Sequence, residues 1–333
     1  MRALLLGGNW NRMLQLLRLL QDGRFHSGEA LGAALGVSRS AIWKQLQALQ
    51  ADLGLPIHKV RGRGYRLENP LLLLSESALV ADDVCQAWPV KVLPSVDSTN
   101  AEALRRLDQG HAAPFLILAE QQSAGRGRRG RTWASPFAEN LYYSLVLRVT
   151  GGMRQLEGLS LVVGLALLQA LREAGVVSAG LKWPNDVLVD GRKIAGILLE
   201  LSGDPADVCH VVIGIGVNVN MLVIDDALIG QPWTSMRAEL KRYVDRNALV
   251  CALNRQMSLY LQRHQEQGFA ALRDEWQANH LWQGRMVVLT TGAQPLEGEV
   301  LGVDSTGAIR LRVAGRECVF SGGELSLRLK NDS

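Results

Sequence analysis

The run Gly125-Arg126-Gly127-Arg128-Arg129-Gly130-Arg131 sets four arginines among three glycines, directly before Thr132-Trp133. Glycine lets backbone N–H groups come close to a ligand. Arginine brings a permanent planar cation that fits carboxylate or phosphate oxygens. Together they make a mobile anion trap, although a solvated basic loop or an arginine- and glycine-rich nucleic-acid segment would have the same composition. Three other polar groups have the right chemistry to serve such a trap. Ser98-Thr99-Asn100 opens a helical stretch, where the side chains can cap the helix or hydrogen-bond a bound carbonyl or ureido group. Lys182-Trp183-Pro184-Asn185-Asp186 ends a strand, and Asp186 can also be read as a turn former. Lys193 follows Asp190-Gly191, where it is either a functional cation or an exposed charge beside a hairpin turn.

The glycines at 125, 127 and 130 spell the dinucleotide pattern G-x-G-x-x-G. That reading fails on context. The pattern must open a helix and be followed about 20 residues later by an acid. Here Trp133-Ala134-Ser135-Pro136 leads into the β-type run Leu141 to Leu147. The phosphate-loop pattern ending in Gly-Lys-Ser/Thr is absent as well.

The elements that must position these residues form a mixed, largely antiparallel sheet with helices, an α+β arrangement. Lys91-Val92-Leu93 and Phe115 to Ala119 read as strands, and Gly158 to Leu171 as a buried helix, apolar nearly all round. Asp190-Gly191 is a type I′ hairpin signal. Gly214 and Gly216 inside the run Val211 to Val219 mark a close approach by a ligand or another backbone. Asp245 starts a long helix with Leu249, Leu253, Met257 and Leu261 on one face. After Gln283-Gly284, short strands separated by turns at Thr291-Gly292, Ser305-Thr306-Gly307, Ala314-Gly315 and Ser321-Gly322-Gly323 predict a small β-barrel.

The amino-terminal part has a different charge. Residues 1–67 net +7, while the whole 333-residue chain nets +4. Leu14, Leu17 and Leu20 mark a first helix. Ser27 caps a second, which turns Ala30, Leu31 and Leu35 inward, and Ser38 caps a third carrying Ile42, Leu46, Leu49 and Leu53. This is helix-turn-helix spacing. The third helix turns Arg39, Ser40, Trp43, Lys44 and Gln47 outward, and two short strands around Arg61-Gly62-Arg63-Gly64 make a basic wing. A protein-interaction module with a solvated basic face is the plainer alternative; the charge and the wing favour DNA. Cys85, Cys209, Cys251 and Cys318 lack metal-ligand spacing, and together with the absence of signal and membrane-spanning segments they suggest a reduced, cytoplasmic setting.

With Asp97-Ser98-Thr99-Asn100, the arginine–glycine run, Lys182 to Asp186 and Arg192-Lys193-Ile194-Ala195-Gly196-Ile197-Leu198 in this order, the chain resembles the biotin–protein ligases. With its winged helix-turn-helix it resembles their bifunctional type, which is also the biotin operon repressor. The resemblance implies three domains: a DNA-binding domain over 1–69, a catalytic domain over 70–283 of the class II synthetase-like biotin/lipoate ligase kind, and an SH3-like domain over 284–333. It implies biotin and ATP as substrates, with magnesium accompanying ATP. Biotinyl-5′-AMP would form first, and its biotinyl group would pass to a lysine of a biotin carboxyl carrier protein.

By the same resemblance, Arg128, Lys193, Asp186 and Lys182 are catalytic, and Asp186 helps order metal and phosphate. Ser98, Thr99, Asn100, Gln122, Arg126, Gly127, Arg128 and Lys193 meet biotin. Arg128, Arg131, Trp133, Asn185, Asn218 and Trp233 meet the nucleotide, with Trp233 in a loop, Met221 to Trp233, that resembles the adenylate-binding loop. Ser38, Arg39, Ser40, Trp43, Lys44, Gln47, Arg61 and Arg63 face operator DNA, and the adenylate favours a homodimer. Two alternatives stay open: a regulator that senses a small acid without catalysis, and a lipoate–protein ligase. Retention of both Arg128 and Lys193 argues against the first, and the arginine-rich loop with the DNA-binding part argues against the second.

Overall fold

A computed structural model describes residues 8–81, 87–150, 152, 155–204, 209–223, 229–290, 295–322 and 325–330. The chain divides into two compact units, residues 1–74 with 136–138, and residues 75–135 with 139–333. The first contains helices α1 (Gly8–Leu20), α2 (Gly28–Leu35) and α3 (Arg39–Leu53), then strands β1 (Ile57–Val60) and β2 (Gly64–Leu67), which pair antiparallel as the wing. Ser27 and Ser38 accept the backbone N–H of Ala30 and Ala41, so both helix starts are satisfied by the caps the sequence suggests. Leu16, Leu17, Leu20, Leu31, Ile42, Leu46 and Leu49 close the core, with Tyr65 and Leu67 entering from the wing. One expectation is corrected: Ala30 is exposed, because α2 buries Gly28, Leu31 and Gly32 instead, whereas Leu14 packs against the core beside Leu17 and Leu20. At Gly32 a side chain would meet the Val37 carbonyl oxygen at 2.6 Å, so this inward position of the short helix takes glycine.

The second unit is built on a seven-stranded sheet of order β3-β4-β5-β9-β8-β7-β6. Its strands are β3 (Val90–Leu93), β4 (Phe115–Ala119), β5 (Leu141–Val149), β6 (Gly180–Lys182), β7 (Asp186–Val189), β8 (Arg192–Gly203) and β9 (Cys209–Val217). Only β3 and β4 run parallel, which is the mixed sheet expected. The helices are α4 (Glu76–Val80), α5 (Thr99–Asp108), α6 (Leu159–Glu173), α7 (Met236–Leu240), α8 (Arg246–Gln267) and α9 (Arg273–Ala278). Eleven residues of α6 are buried, including Leu161, Val162, Leu165 and Leu168, as its uniformly apolar sequence requires.

Both central residues of the β7–β8 turn, Asp190 (φ 48°) and Gly191 (φ 77°), have the positive φ of a type I′ hairpin. The pairing of the two strands then skips one residue: Ala195 faces Val187 and Lys193 faces Leu188, which leaves Ile194 as the extra residue of a β-bulge.

Strands β10 (Met286–Thr290), β11 (Pro295–Val303), β12 (Ile309–Val313), β13 (Arg316–Phe320) and β14 (Ser326–Leu329) make an SH3-like antiparallel sheet of order β13-β12-β11-β10-β14. The expected turn at Thr291-Gly292 and residue Gly323 lie outside the described residues. This sheet is fastened to the rest of its unit by polar bonds: Trp183 Nε1, between β6 and β7, donates to the Gly307 carbonyl at 3.1 Å, and Val303 N to Oε1 of Gln277 on α9 at 3.0 Å. Cys209 and Cys318 are free thiols, and Cys85 lies outside the described residues. Among the described residues no helix is long and apolar enough to cross a membrane.

Candidate active site

The central strands β5, β9 and β8 form the floor. Gly214 and Gly216 lie on β9, and Gly196 faces Gly216 on β8. These glycines are where side chains descend onto the sheet. A β-carbon at Gly214 would come 2.4 Å from Asn100 Oδ1, and one at Gly216 would come 2.5 Å from Trp133 Cε2. The close approach read from the strand glycines is therefore made by the protein's own Asn100 and Trp133.

The start of α5 is not capped in the default way. Ser98 makes no side-chain capping bond; instead Thr99 N and Oγ1 both donate to Gln122 Oε1, at 2.8 and 3.1 Å. Gln122 Nε2 in turn donates to Ser135 Oγ at 3.0 Å. Asn100 is buried and its amide is hydrogen-bonded at both ends. Ser144 Oγ donates to its Oδ1 at 2.5 Å, while its Nδ2 donates to Glu200 Oε2 at 2.8 Å and to the Leu198 carbonyl at 3.3 Å. Arg126 Nη2 reaches the same Glu200 oxygen at 2.9 Å. Glu200, which the sequence reading missed, thus ties the basic loop to the wall of a narrow hollow of about 50 Å³. Its only signal was an acid interrupting the apolar run Ile197-Leu198-Leu199.

The basic loop is more structured than an open trap. Gly127 N donates to the Arg131 carbonyl at 2.7 Å and Trp133 N to the Gly125 carbonyl at 2.9 Å, with a 3₁₀ turn over Arg128–Gly130 between them. No α-helix follows it, in keeping with rejection of the dinucleotide reading. Arg128 is half-buried rather than exposed: Nη1 donates to Asn185 Oδ1 at 2.9 Å and Nη2 to the Leu325 carbonyl at 3.3 Å. The Leu325 partner had no signal in the sequence, because a backbone carbonyl from a distant segment carries no residue signature.

Beyond the loop opens a wider hollow of about 290 Å³, lined among others by Arg131, Lys182, Asp186, Asn218 and Trp233. Arg128, Trp133, Asn185 and Lys193 line both hollows. Lys193 Nζ stands 2.6 Å from Asp186 Oδ1 and 5.4 Å from the centre of a Trp133 ring. Lys182 Nζ lies 3.9 Å from Asp186 Oδ2 and 4.7 Å from the Trp282 ring centre. Burial pushes the Lys182 pKa below its ordinary value, and Asp186 opposes that shift. The backbone of Lys193 is held on both sides: its N–H donates to the Pro232 carbonyl and its carbonyl accepts from Thr234 N, both at 3.0 Å. Asn218 Nδ2 braces the same segment through the Thr234 carbonyl at 3.0 Å. Trp233 is thereby registered beside Lys193, while residues 224–228 of its loop lie outside the described residues.

In the first unit Arg39, Ser40, Trp43, Lys44 and Gln47 are exposed on α3, and Arg61 and Arg63 are exposed in the wing turn. The Ser38 hydroxyl serves as the cap of α3 and pairs with Ser40 Oγ at 2.9 Å. Among the described residues no three His, Cys, Asp or Glu side chains converge as a metal cage.

Residues 92–218 match the biotin/lipoate A/B protein ligase family, and residues 12–66 match the HTH domain family. The chain is 39% identical to the bifunctional ligase/repressor BirA of Escherichia coli, over 95% of this chain and 97% of that protein. It is 30% identical to the bifunctional ligase/repressor BirA of Bacillus subtilis, over 86% of this chain and 89% of that protein. The biotin protein ligase from Aquifex aeolicus, solved in complex with biotin and ATP, superposes with a TM-score of 0.64 at 29% identity, covering 73% of this chain and 99% of that one. Two hollows joined at a pair of cations, a winged helix-turn-helix unit and these full-length likenesses place the chain in the family of bifunctional biotin–protein ligases and repressors.

Proposed function

We propose that the protein joins biotin to ATP as biotinyl-5′-AMP, transfers the biotinyl group to a lysine of a biotin carboxyl carrier protein, and represses biotin synthesis with the adenylate as corepressor. The observation that carries the enzymatic part is the convergence of Arg128 and Lys193 where the narrow and wide hollows meet. Biotin occupies the narrow end, its ureido group against Ser98, Thr99 and Gln122, with Arg126 and Gly127 closing over it. Asn100, whose amide is hydrogen-bonded at both ends, shapes the wall. ATP occupies the wide end, with Asn185, Asn218, Arg131, Trp133 and Trp233 around its nucleotide.

In the first step a biotin carboxylate oxygen forms a bond to the α-phosphorus, the α–β bridging bond breaks, and pyrophosphate leaves. Two anions must approach, so fixed positive charge at the junction lowers the barrier more than it stabilises either ground state. Arg128 and Lys193 supply that charge, with Lys182 on the phosphate side and Asp186 orienting both lysines. In the second step the carrier lysine's neutral amine attacks the acyl carbon, AMP leaves, and the amine's proton is lost. Magnesium arrives with the ATP phosphates, since nucleotide sites usually bind it that way. Asp186, the one carboxylate among the described residues lining the wide hollow, could take one position on it, but its pairing with Lys193 does not make a resident metal site.

Residues 1–69, 70–283 and 284–333 serve as the DNA-binding, catalytic and carrier-facing domains of a cytoplasmic protein. Adenylate-dependent homodimerisation would bring two winged helices to one operator. Biotin-dependent exchange of labelled pyrophosphate into ATP tests the chemistry and separates a ligase from a pure sensor. Transfer of labelled biotin to a carrier domain, and failure of lipoate to compete, tests the substrate. No exchange would sink the enzymatic reading, and equal sedimentation with and without biotin and ATP would sink the dimer.

A further inference from the structure

The first unit carries a second cationic feature that α3 does not explain. Along β2 the side chains alternate, Tyr65 and Leu67 inward, Arg66 outward. The segment joining α1 to α2 is laced to this strand: His26 N donates to the Tyr65 carbonyl at 2.9 Å, and Tyr65 N returns to the His26 carbonyl at 2.8 Å. Phe25 is thereby set beside the wing, and two arginines lie over its ring. The Arg63 guanidinium carbon is 4.4 Å from the ring centre and that of Arg66 is 5.1 Å away. Arg24 joins them in lining one open hollow, and no carboxylate among the described residues lines it.

Asp22, outside the lining, attracts the Arg24 charge but is hydrogen-bonded to the Arg24 backbone N–H and to His26 Nε2, both at 2.9 Å. Arg66 Nε is buried and has no hydrogen-bond partner among the described residues. Three permanent cations in a lining that holds no carboxylate repel one another, and they are compensated when an anion enters between them. The aromatic face fixes two of the three forks in advance, which lowers the ordering cost of binding.

We infer that this hollow grips a backbone phosphate of duplex DNA outside the recognition helix, with Arg24, Arg63 and Arg66 as the contacts and Phe25 as the platform that orients them. The inference rests on the DNA-binding reading above and adds a sequence-independent contact to it. A duplex fits better than an acidic protein segment because its phosphates are regularly spaced and the hollow borders the wing already read as a phosphate contact.

The full-length protein is titrated onto an operator duplex and an unrelated duplex across a range of salt. Arg24→Ala and Arg66→Ala should weaken both duplexes by the same factor, roughly three- to tenfold at low salt. Each should flatten the slope of log affinity against log salt by about 0.9 for every phosphate that is no longer neutralised. Phe25→Leu should weaken binding two- to fivefold with the slope kept, because it removes orientation and no charge. Arg66→Lys, the variant least able to disturb folding, should restore the slope and recover only part of the affinity. If the parent binds and the Arg24 and Arg66 variants match it in affinity and slope, the site is wrong while the repressor reading stands. A loss confined to the operator duplex overturns it too, since that would be base readout. A parent that binds no duplex refutes the repressor reading itself, and this inference with it.

Discussion

Removing the Glu200 carboxylate perturbs two groups that can be measured apart. Asn100 Nδ2 loses its acceptor at 2.8 Å and keeps only the Leu198 carbonyl at 3.3 Å, in a side chain that is 4% exposed. Leaving such a buried donor poorly satisfied costs about 1–3 kcal/mol. Arg126 loses its ion pair, but with side-chain exposures of 42% and 24% the pair is screened and contributes only about 0.5 kcal/mol. Glu200→Gln keeps an oxygen for Asn100 and removes the charge facing Arg126; Glu200→Ala removes both.

Urea unfolding should therefore show a loss of about 2 kcal/mol for the alanine variant and under about 1 kcal/mol for the glutamine variant. Escape of biotinyl-5′-AMP, followed by dilution into unlabelled biotin, should accelerate about two- to threefold in both, because both free the loop. A double-mutant cycle with Arg126→Ala should show that the effects on escape do not add. Equal destabilisation by Gln and Ala, or additive effects on escape, would refute the assignment of Glu200 as the tie between loop and wall.

Gly216→Ala places a β-carbon 2.5 Å from Trp133 Cε2 and 2.7 Å from its Nε1. Overpacking of this kind costs about 1–3 kcal/mol, so the indole should lift from the floor and raise the biotin and ATP KM about tenfold in a folded protein; unchanged KM values would show that Trp133 does not lie there. Arg128→Gly removes the donors to Asn185 and the Leu325 carbonyl, and it should speed adenylate release about tenfold or more, so that bystander lysines become biotinylated. Retention of the adenylate as tight as in the parent would remove Arg128 from that role. Burial holds the His280 pKa at about 4, below its unfolded value of about 6.5. Its neutral form favours the fold, so that stability is fully present above pH 6.5 and is lost as pH falls toward 4, by up to about 3 kcal/mol. His264 adds a loss of the same sign, because burial lowers its pKa too. His280→Gln should flatten the acid limb of a urea-stability profile, and an unchanged limb would contradict the cause.

Much of the site was legible because it depends on local rules. The hairpin before Lys193 follows from Asp190-Gly191, and the helix starts from Ser27 and Ser38, each within a few residues of its cause. The strand glycines announced a close approach, though only the fold shows that Asn100 and Trp133 make it. The ties across the sheet were not legible. Glu200 meets Asn100 and Arg126 from 100 and 74 residues away, and Leu325 offers Arg128 a backbone oxygen from 197 residues away. Ser98 stands where a helix cap is expected, yet its side chain makes no capping bond, and the Thr99 N–H, which a Ser98 cap does not serve, goes to Gln122 from 23 residues away. The apolar character of Ala30 predicts burial, but the inward face of α2 is Gly28, Leu31 and Gly32.

The bulge at Ile194 bears on how the hairpin tolerates changes in length. Residues directly opposite in a ladder point to the same face, so Lys193, opposite Leu188, shares the face of Asp186 two positions along β7. Were the ladder to run on with no bulge, Leu188 would face Ile194, and Lys193 would move opposite Val189, on the other face of the sheet. The lysine owes its meeting with Asp186 to a miscount of one. Deleting a single residue of Asp190, Gly191 or Arg192 should leave a well-paired hairpin with its cation on the wrong side, whereas many changes of residue type there leave the count intact. In this hairpin the number of residues is itself part of the chemistry.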